Sequence, residues 1–319
     1  MCFGEAAFVR TRALELGRVA AGRPVEAALV GALAIVFSGI LYRYADVSPE
    51  TGAFFRCLYA LPPLWLLARW EDRRVGPRPR RLRVWAWLAG AFLSVDLLLW
   101  HHAIEAVGAG LATVLANTQV VLVGLIAWVF LRERPAGSAL LAIPLAAAGV
   151  VLISGALEQG AYGDDPALGA LFGLLAGLAY TGLLLTLRQG SSDLRRVAGP
   201  LYDATLAAAV VLLPVGLVIG DLDLVPAISA NAWLVLLALS SQVAAWLLIT
   251  LSLPRLPAVV TSILLTLQPV GSVLVAALLL AERPSVLQLL GTAAILAGLL
   301  IASTGRRGAS EPGPAPEPA

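Results

Sequence analysis

Two stretches of this chain, VGAGLATVLANTQVVLVGLIAWVFLRERPAGSALLAIPLAAAGVVLIS (107–154) and LPAVVTSILLTLQPVGSVLVAALLLAERPSVLQLLGTAAILAGLLIAS (256–303), are two copies of one pattern. Fifteen of their 48 aligned positions are identical, without a gap. Apolar identities carry little information in a chain rich in Leu, Ala and Val, but repeated polar residues do. Repeats in an apolar chain indicate two related helical bundles. The informative matches pair Gln119, Glu133, Arg134, Pro135 and Gly149 with Gln268, Glu282, Arg283, Pro284 and Gly298.

The composition indicates that most of the chain lies in lipid. Hydrophobic residues make up 59% of the 319 residues, charged residues make up 13%, and the mean hydropathy is +0.87. Ten segments are long and apolar enough to span a hydrocarbon core of about 30 Å. Backbone groups must be paired internally in hydrocarbon, so these segments are predicted to be helices rather than barrel strands. They cover residues 25–44, 50–69, 83–105, 108–131, 138–157, 167–187, 197–220, 231–253, 257–281 and 285–304.

The arginines orient the ten spans. All 22 basic residues are Arg, and 19 of them lie on one side when the amino terminus is placed in the cytoplasm. Arg43 and Arg283 fall on the opposite side, and Arg56 lies within a span. This bias predicts a multi-pass protein of the cell (inner, cytoplasmic) membrane with both termini in the cytoplasm. The loop predicted over residues 70–83 holds a basic cluster that sets this topology, with contact to anionic lipid as the alternative.

Each repeat holds five spans, and five is an odd number. The two repeats therefore enter the membrane in opposite senses, which is typical of carriers that open one site alternately to either side. The predicted fold is an all-α polytopic membrane protein with two inverted five-helix repeats. Its parts are a cytoplasmic tail over residues 1–24, a first repeat over 25–157, a second repeat over 167–304 and a Pro-rich, disordered cytoplasmic tail over 305–319.

Two five-helix repeats, each with a Glu-Arg-Pro turn before a final helix that carries Ala-Gly, resemble the EamA-type branch of the drug/metabolite transporter (DMT) superfamily. Phe55-Arg56 in the second span adds to the resemblance, which covers roughly residues 25–304. Members often carry Trp-Gly in the first span, where this chain has Phe37-Ser38. The resemblance implies a secondary carrier, and many members export amino acids or other small metabolites. The superfamily also includes nucleotide-sugar and sugar-phosphate exchangers.

Polar residues within spans are the candidates for cargo contacts, because they are costly in lipid unless they face the bundle interior or water. Gln119 and Gln268 lie near the middle of spans four and nine, at equivalent positions of the two repeats. A neutral amide there can hydrogen-bond a polar cargo without selecting one sign of charge. Hydrogen bonding between helices is the alternative role. Asn117 adds polarity beside Gln119, and the weaker candidates for a substrate cavity are Tyr180, Gln242 and Trp246.

Two charged side chains fall inside spans. Arg56 lies in the outer half of span two, and Asp96 lies near the middle of span three. One hypothesis is that Arg56 binds a carboxylate and Asp96 an amine, which suits a zwitterion; the alternative is that they pair with each other and only hold the fold. Asp96 is also a candidate proton relay, together with His101 and His102, because histidine titrates near neutral pH. A position at the membrane interface beside Trp100 is the alternative for the histidines.

The repeated Glu-Arg-Pro sequences are predicted to be structural turns between the last two spans of each repeat. Proline suits the first turn of the helix that follows, and the adjacent arginine or a neighbouring helix terminus can neutralise the carboxylate. Because the turns recur on opposite faces, a change of partners between two conformations is the alternative. The six turn residues are Glu133, Arg134, Pro135, Glu282, Arg283 and Pro284.

The predicted partners are a small-molecule substrate and the lipid bilayer, with no nucleic acid. Gly169, Gly173 and Gly177 recur at intervals of four residues on span six. Small residues at this spacing let helices approach closely, and here they favour packing within the bundle over dimerisation. The oligomeric state stays open, and a monomer is compatible with the sequence.

The sequence carries no pattern of an enzyme. His-Glu-x-x-His, Gly-x-Ser-x-Gly and a Cys cluster are missing, and a chain without Lys has no phosphate-binding Walker lysine. No cofactor and no metal is predicted. The predicted function is a secondary active exporter of a small polar or amphipathic metabolite, such as an amino acid, by alternating access. The alternatives are a nucleotide-sugar or other metabolite exchanger and a passive channel or scramblase.

Overall fold

The computed structural model describes residues 23–122, 137–193, 195–252 and 258–305. Its regular structure consists of ten helical segments, called rods below. Within these ranges the predicted all-α, ten-helix fold is confirmed. The rods are α1 Pro24–Ala45, α2 Pro49–Val75, α3 Arg80–Val107, α4 Ala109–Leu122, α5 Gly137–Ile153, α6 Pro166–Gly190, α7 Ala198–Ile219, α8 Ile228–Ser252, α9 Ala258–Leu279 and α10 Val286–Gly305.

Five of these helices are long and apolar enough to cross a membrane by length and composition, namely α1, α3, α6, α7 and α8. In the described ranges, α4 and the apolar parts of α5, α9 and α10 are shorter. The 27-residue α2 is long enough, but it carries Arg56 within its length and a charged last third. The charges of α2 lie at Glu50 in its first turn, at the buried Arg56 and in its last third, and they lower its mean hydropathy.

α2 extends further than predicted. We predicted the span to end at residue 69, but the helix continues to Val75. The guanidinium carbon of Arg74 lies 3.9 Å from the ring centroid of Trp70, and cations in a last turn complement the helix dipole. Gly76, with φ of 89°, ends the helix and donates its N–H to the Asp72 carbonyl. Because α3 begins at Arg80, the predicted loop over 70–83 is wrong, and only residues 76–79 connect the two helices.

Two other rods change their helical geometry within their length. α1 consists of Pro24–Val36 and Ser38–Ala45, which meet at Phe37. In α8 a π-helical segment, Ala238–Ala245, separates the α-helical segments Ile228–Leu237 and Trp246–Ser252. The sequence predicts each of these spans as a single helix, and the structure interrupts both. The π segment of α8 carries the polar side chains Ser240, Ser241 and Gln242.

The chain divides into two compact units that each combine parts of both sequence halves. Unit 1 comprises Met1–Ser94 and Leu183–Gln268, and unit 2 comprises Val95–Gly182 and Pro269–Ala319. In unit 1, α1 packs against α8 at Gly31, where a methyl group would lie 3.1 Å from the Ala245 carbonyl oxygen. Small residues at such contacts let helix backbones approach closely.

In unit 2, glycines mark two close helix contacts. A methyl group at Gly149 of α5 would lie 2.6 Å from the Gly291 carbonyl oxygen of α10, so these backbones touch directly. On α6, the glycine stripe packs against the end of α3 and against α4, as predicted for packing within the bundle. A methyl group would meet Val107 from Gly169, Leu115 from Gly173 and Ala116 from Gly177.

Candidate functional site

Arg56 is a buried cation within α2 of unit 1. Its side chain is 5% exposed. Its Nε donates to Gln242 Oε1 at 3.2 Å, and its Nη2 donates to Ser241 Oγ at 3.0 Å. A charged group inside an apolar span is costly unless polar groups surround it. The structure thus brings together two of the predicted cavity candidates, Arg56 and Gln242, and adds Ser241, which sequence reasoning missed.

Gln242 and Ser241, which accept these two hydrogen bonds from Arg56, belong to the π-helical segment of α8. A π turn widens the helix and is frequent at functional sites. The segment reads Ala-Leu-Ser-Ser-Gln-Val-Ala-Ala, so small residues flank its polar side chains. Ser240 Oγ donates to the Leu236 carbonyl at 2.6 Å, a local bond of the kind that bends helices. The sequence signal was a Ser-Ser-Gln run inside an apolar span.

Gln242 connects α8 to α7 as well as to α2. Its Nε2 donates to Thr205 Oγ1 at 3.2 Å, while its Oε1 accepts from Arg56. Both Gln242 and Thr205 are fully buried. Because an amide has distinct donor and acceptor ends, the two contacts fix its orientation. Trp246, the remaining candidate on α8, is buried and begins the next α-helical segment.

A second polar pair lies near this group. The Tyr59 hydroxyl, one turn after Arg56 on α2, donates to Asn231 Oδ1 at the start of α8. Asn231 Nδ2 in turn donates to the Pro226 carbonyl at 2.6 Å. α2 and α8 are therefore joined by side-chain hydrogen bonds at two places, and no sequence pattern predicted the pair of Tyr59 and Asn231.

In unit 2, the predicted residues Asn117 and Gln119 lie at a break in α4. The N–H of Thr118 donates to the Leu115 carbonyl at 3.1 Å, and the N–H of Val120 donates to the Asn117 carbonyl at 3.2 Å. These are bonds to the third preceding residue, so the regular α pattern is lost. Asn117 Nδ2 bonds the backbone of its own helix, at the Thr113 carbonyl. Broken helices offer backbone groups to a cargo in transporters.

The other predicted candidates lie in separate helices. Gln268 is buried in α9 directly before Pro269, which lies inside that helix. Tyr180 is half-buried on α6. Asp96 is buried in α3, and its side chain is 9% exposed. The roles of these three residues in cargo binding or proton transfer stay predictions.

The two histidines differ in their surroundings. His101 is fully buried, and its ring centroid lies 5.2 Å from that of Trp100. His102 is half-buried, with its ring 5.4 Å from Phe172. Trp100 is itself buried, and the position of the histidines at the membrane interface stays a prediction.

Glu282 reaches the amino terminus of α4, within unit 2. Its buried carboxylate accepts the backbone N–H of Ala109 at 2.6 Å and that of Gly110 at 3.1 Å. A helix amino terminus carries partial positive charge, so the start of α4 neutralises the carboxylate. This agrees with the prediction that the adjacent arginine or a neighbouring helix terminus neutralises it. Arg283 is exposed. The first-repeat turn, Glu133, Arg134 and Pro135, lies outside the described residues.

The sequence predicts Pro284 in the first turn of the next helix, but the structure places Pro284 before that helix. α10 begins at Val286, and Ser285 is the residue that caps it. Ser285 and Gln288 form a reciprocal pair, in which the Gln288 N–H donates to Ser285 Oγ and the Ser285 N–H donates to Gln288 Oε1. This Ser-x-x-Gln capping box sets the start of the helix two residues later than proline alone suggests.

Comparison with known families decides the classification of this chain. The EamA-like transporter family model matches residues 25–155 and 167–304, one match for each repeat. The chain belongs to the EamA-like transporter family. It is therefore a multi-pass membrane transporter and not an enzyme, and its sequence holds two EamA domains of five spans each.

Solved structures share the fold of this EamA-like transporter. In total 24 solved chains match, and one of them, described only as a crystal structure of a protein, is 15% identical with a TM-score of 0.59. That match covers 91% of this chain and 99% of the other. At this identity the likeness supports the fold alone. No curated protein matches.

Sequence reasoning missed two buried polar centres of the transporter. In unit 2, Gln288 uses both ends of its amide: Nε2 donates to the Ile153 and Tyr162 carbonyls, and Oε1 also accepts from the Tyr162 N–H. It thus joins α10 to the end of α5 and to the segment before α6. Its only sequence signal was the capping-box spacing after Ser285.

In unit 1, Glu71 caps α7. Its buried carboxylate accepts the backbone N–H groups of Val197, Ala198 and Gly199 at 2.7–2.9 Å. One residue on, Asp72 Oδ1 lies 2.8 Å from Arg196 Nη1 and 3.4 Å from Arg78 Nε. The contacts of Glu71 with the start of α7 and of Asp72 with Arg196 join residues more than 100 positions apart, so local patterns carry no signal of them.

Asp203 completes this network. Its Oδ2 lies 2.6 Å from Arg78 Nη1 and 3.6 Å from Arg83 Nε, and its side chain is almost fully buried. The ion pair with Arg78 indicates a structural role for Asp203. The adjoining cavity is about 10 Å³, which holds about one water molecule and no metabolite.

Proposed function

We propose that this EamA-like transporter is a secondary active carrier that exports a small amphipathic metabolite, such as an amino acid, by alternating access. The observation that carries the proposal is the buried Arg56 guanidinium, whose Nε and Nη2 bond to Gln242 and Ser241. A guanidinium presents a planar fork that matches a carboxylate. We assign Arg56 the binding of the carboxylate of the cargo.

Gln242 and Ser241 support this role because each is a neutral acceptor. Gln242 Oε1 and Ser241 Oγ orient the guanidinium without adding a negative charge of their own. A carboxylate that replaces one of them gains a charge-assisted hydrogen bond, which is about twice as strong as a neutral one. The displaced Gln242 amide keeps its contact with Thr205, so the exchange leaves a polar partner in place.

Alternating access is supported by the repeat architecture. Each EamA domain holds five spans, so the two domains cross the membrane in opposite senses. The break of α4 at Asn117 and the proline inside α9 at Pro269 lie at nearly equivalent positions of the repeats. We propose Gln119 and Gln268, beside these irregular points, as further cargo contacts, and Asp96 with His101 as the route for a coupled proton.

The first test of the proposal is the cargo itself. Metabolites are profiled in the medium of cells with and without the protein, and the compounds that accumulate outside are then tested in proteoliposomes. We expect saturable uptake that is stimulated by the same compound on the opposite side. Flux proportional to the gradient, without saturation, contradicts a carrier and supports a channel.

The second test is the role of Arg56. Arg56→Gln is expected to abolish transport of a carboxylate cargo, and Arg56→Lys to retain part of it, because the charge remains but the fork is lost. Arg43→Gln, which changes an exposed arginine of the same unit, is the matched control and should leave transport unchanged. Equal transport by Arg56→Gln and wild type overturns the assignment.

A further inference from the structure

The exposed face of α2 changes from apolar to basic along its length. Trp65 and Leu66 are exposed, at 44% and 61%, and the exposed Arg69 and Arg73 follow on the same side of the helix. Residues three or four apart share one face of an α-helix. The two arginines therefore continue the apolar stripe that begins at Trp65.

α3 shows the same change in the opposite chain direction. Arg80 and Arg81 are exposed at its start. The exposed Val84 lies four residues after Arg80 and three after Arg81, and the exposed Trp87 and Leu88 lie seven residues after Arg80 and Arg81 respectively. Val84 is 67% exposed. Because residues 76–79 connect the two helices, both basic ends lie at one end of unit 1.

An exposed apolar stripe on a membrane-spanning helix faces lipid tails. Residues that continue such a stripe past its apolar part lie at the level of the lipid headgroups. Pairing of arginine with tryptophan agrees with this placement, since Arg69 lies 5.5 Å from the Trp65 ring and Arg74 lies over the Trp70 ring. Tryptophan is enriched at membrane interfaces.

Five exposed arginines at this end of α2 and α3 form a surface that we call the basic rim, namely Arg69, Arg73, Arg74, Arg80 and Arg81. The basic rim keeps its positive charge. The two nearest acids of α2 are used by other groups. Glu71 accepts backbone N–H groups at the start of α7, and Asp72 pairs with Arg78 and Arg196. Arg83 is left out of the rim because it lies near Asp203.

We propose that the basic rim binds the headgroups of anionic phospholipids. Arginine binds phosphate oxygens through its planar fork, and several arginines beside lipid-facing apolar side chains match a phosphate attached to acyl chains. This differs from a topology signal, which acts only during membrane insertion. Headgroup binding is a property of the folded carrier, independent of its cargo.

The test uses the purified full-length protein in uncharged detergent. Phosphatidylglycerol or phosphatidylcholine is titrated in, and bound lipid is counted by native mass spectrometry at low and high salt. We expect the wild type to bind phosphatidylglycerol more tightly than phosphatidylcholine, with a preference that falls as salt screens the charges. Equal binding of the two lipids overturns the proposal.

The variant R80Q/R81Q removes two charges of the rim, and R43Q/R283Q removes two exposed charges elsewhere as the matched control. We expect phosphatidylglycerol binding to weaken roughly fivefold for each rim arginine removed, with no change in the control. Equal binding by R80Q/R81Q and wild type contradicts the proposal. Displacement of the lipid by inorganic phosphate at matched concentration also contradicts it, because the site would then recognise free phosphate.

If R80Q/R81Q does not fold, the salt dependence of the wild type decides. A preference for phosphatidylglycerol that persists at high salt means that the arginines do not hold the headgroup, and the proposal fails. A preference that disappears supports it. Neither result depends on the cargo, so the lipid proposal can fail while the transport proposal stands.

Discussion

Replacing Glu282 by alanine removes a buried carboxylate that holds the first turn of α4. The carboxylate accepts the N–H of Ala109 at 2.6 Å and that of Gly110 at 3.1 Å. Hydrogen bonds to a charged group contribute about 1.5–3 kcal/mol each, and the helix amino terminus adds to the attraction. We expect Glu282→Ala to lower the free energy of unfolding by roughly 3 kcal/mol or more.

Glu282→Gln removes the negative charge of the carboxylate but keeps the size and shape of the side chain. The amide keeps one carbonyl acceptor but places its NH₂ group against the second backbone N–H. We expect roughly half of the alanine effect, about 1.5 kcal/mol. Asp164→Asn, which changes an exposed acid of the same unit, is the control and should stay within about 0.5 kcal/mol of wild type.

Gly108 provides an independent check on this contact. A methyl group there would lie 2.8–2.9 Å from the carboxylate atoms of Glu282, and φ is 89°. Gly108→Ala therefore costs backbone strain in any background, but it displaces the carboxylate only when Glu282 is present. A double-mutant cycle of Gly108→Ala and Glu282→Ala should give a coupling of about 1 kcal/mol or more.

The assay is equilibrium unfolding by sodium dodecyl sulfate in mixed micelles, followed by tryptophan fluorescence. The reasoning is refuted if Glu282→Ala and Glu282→Gln both unfold within about 0.5 kcal/mol of wild type. It is also refuted if the two single changes of the cycle simply add, because the carboxylate and Gly108 would then act independently.

Three further predictions concern single residues. Gln288→Leu should destabilise by roughly 3 kcal/mol or more, because the Ile153 carbonyl and both backbone groups of Tyr162 lose a buried partner; unchanged unfolding contradicts this. Ala281→Gly should stabilise by about 1 kcal/mol, because Ala281 has φ of 54° and glycine adopts this conformation freely; destabilisation in the same assay would show that the conformation is unstrained. The hydrogen bond from Arg195 lowers the pKa of Asp193 to about 2. A carboxyl whose pKa is lowered on folding stabilises the folded protein above the unfolded pKa, and this contribution is lost as pH falls from about 4 to 2. Asp193→Asn should therefore flatten the dependence of the unfolding free energy on pH only in that range.

The ten spans could be predicted because hydrocarbon offers the backbone no hydrogen-bond partners. Each span must pair its own N–H and C=O groups, so length and apolar composition are sufficient to identify a helix. The family could be predicted as well, because Glu282-Arg283-Pro284 and Gln268 repeat polar residues in a chain where apolar matches carry little information.

The ends and interruptions of the helices were harder to predict. The continuation of α2 to Val75 depends on Arg74 contacting Trp70 and on Gly76, rather than on hydropathy. The break at Asn117 and the π segment of α8 contain neither Pro nor Gly, the residues that usually indicate such changes. Composition therefore located the spans but not their irregular points.

The candidate site was predictable only as a set of residues. Arg56 and Gln242 were both identified as costly polar groups within spans, but they lie 186 positions apart, and only the fold places them in contact. The same holds for Glu71 and Ala198, which are 127 positions apart. Pairing of distant polar groups depends on helix packing, which a single sequence does not encode locally.

Opposite membrane orientation of the two EamA domains can be tested directly by the accessibility of single cysteines. Single cysteines are placed at Arg134 and at Arg283 in a background with Cys2 and Cys57 replaced by serine and alanine, and intact cells are treated with a membrane-impermeant maleimide. We expect labelling of position 283 in intact cells and of position 134 only after permeabilisation. Labelling of both positions from the same side contradicts it.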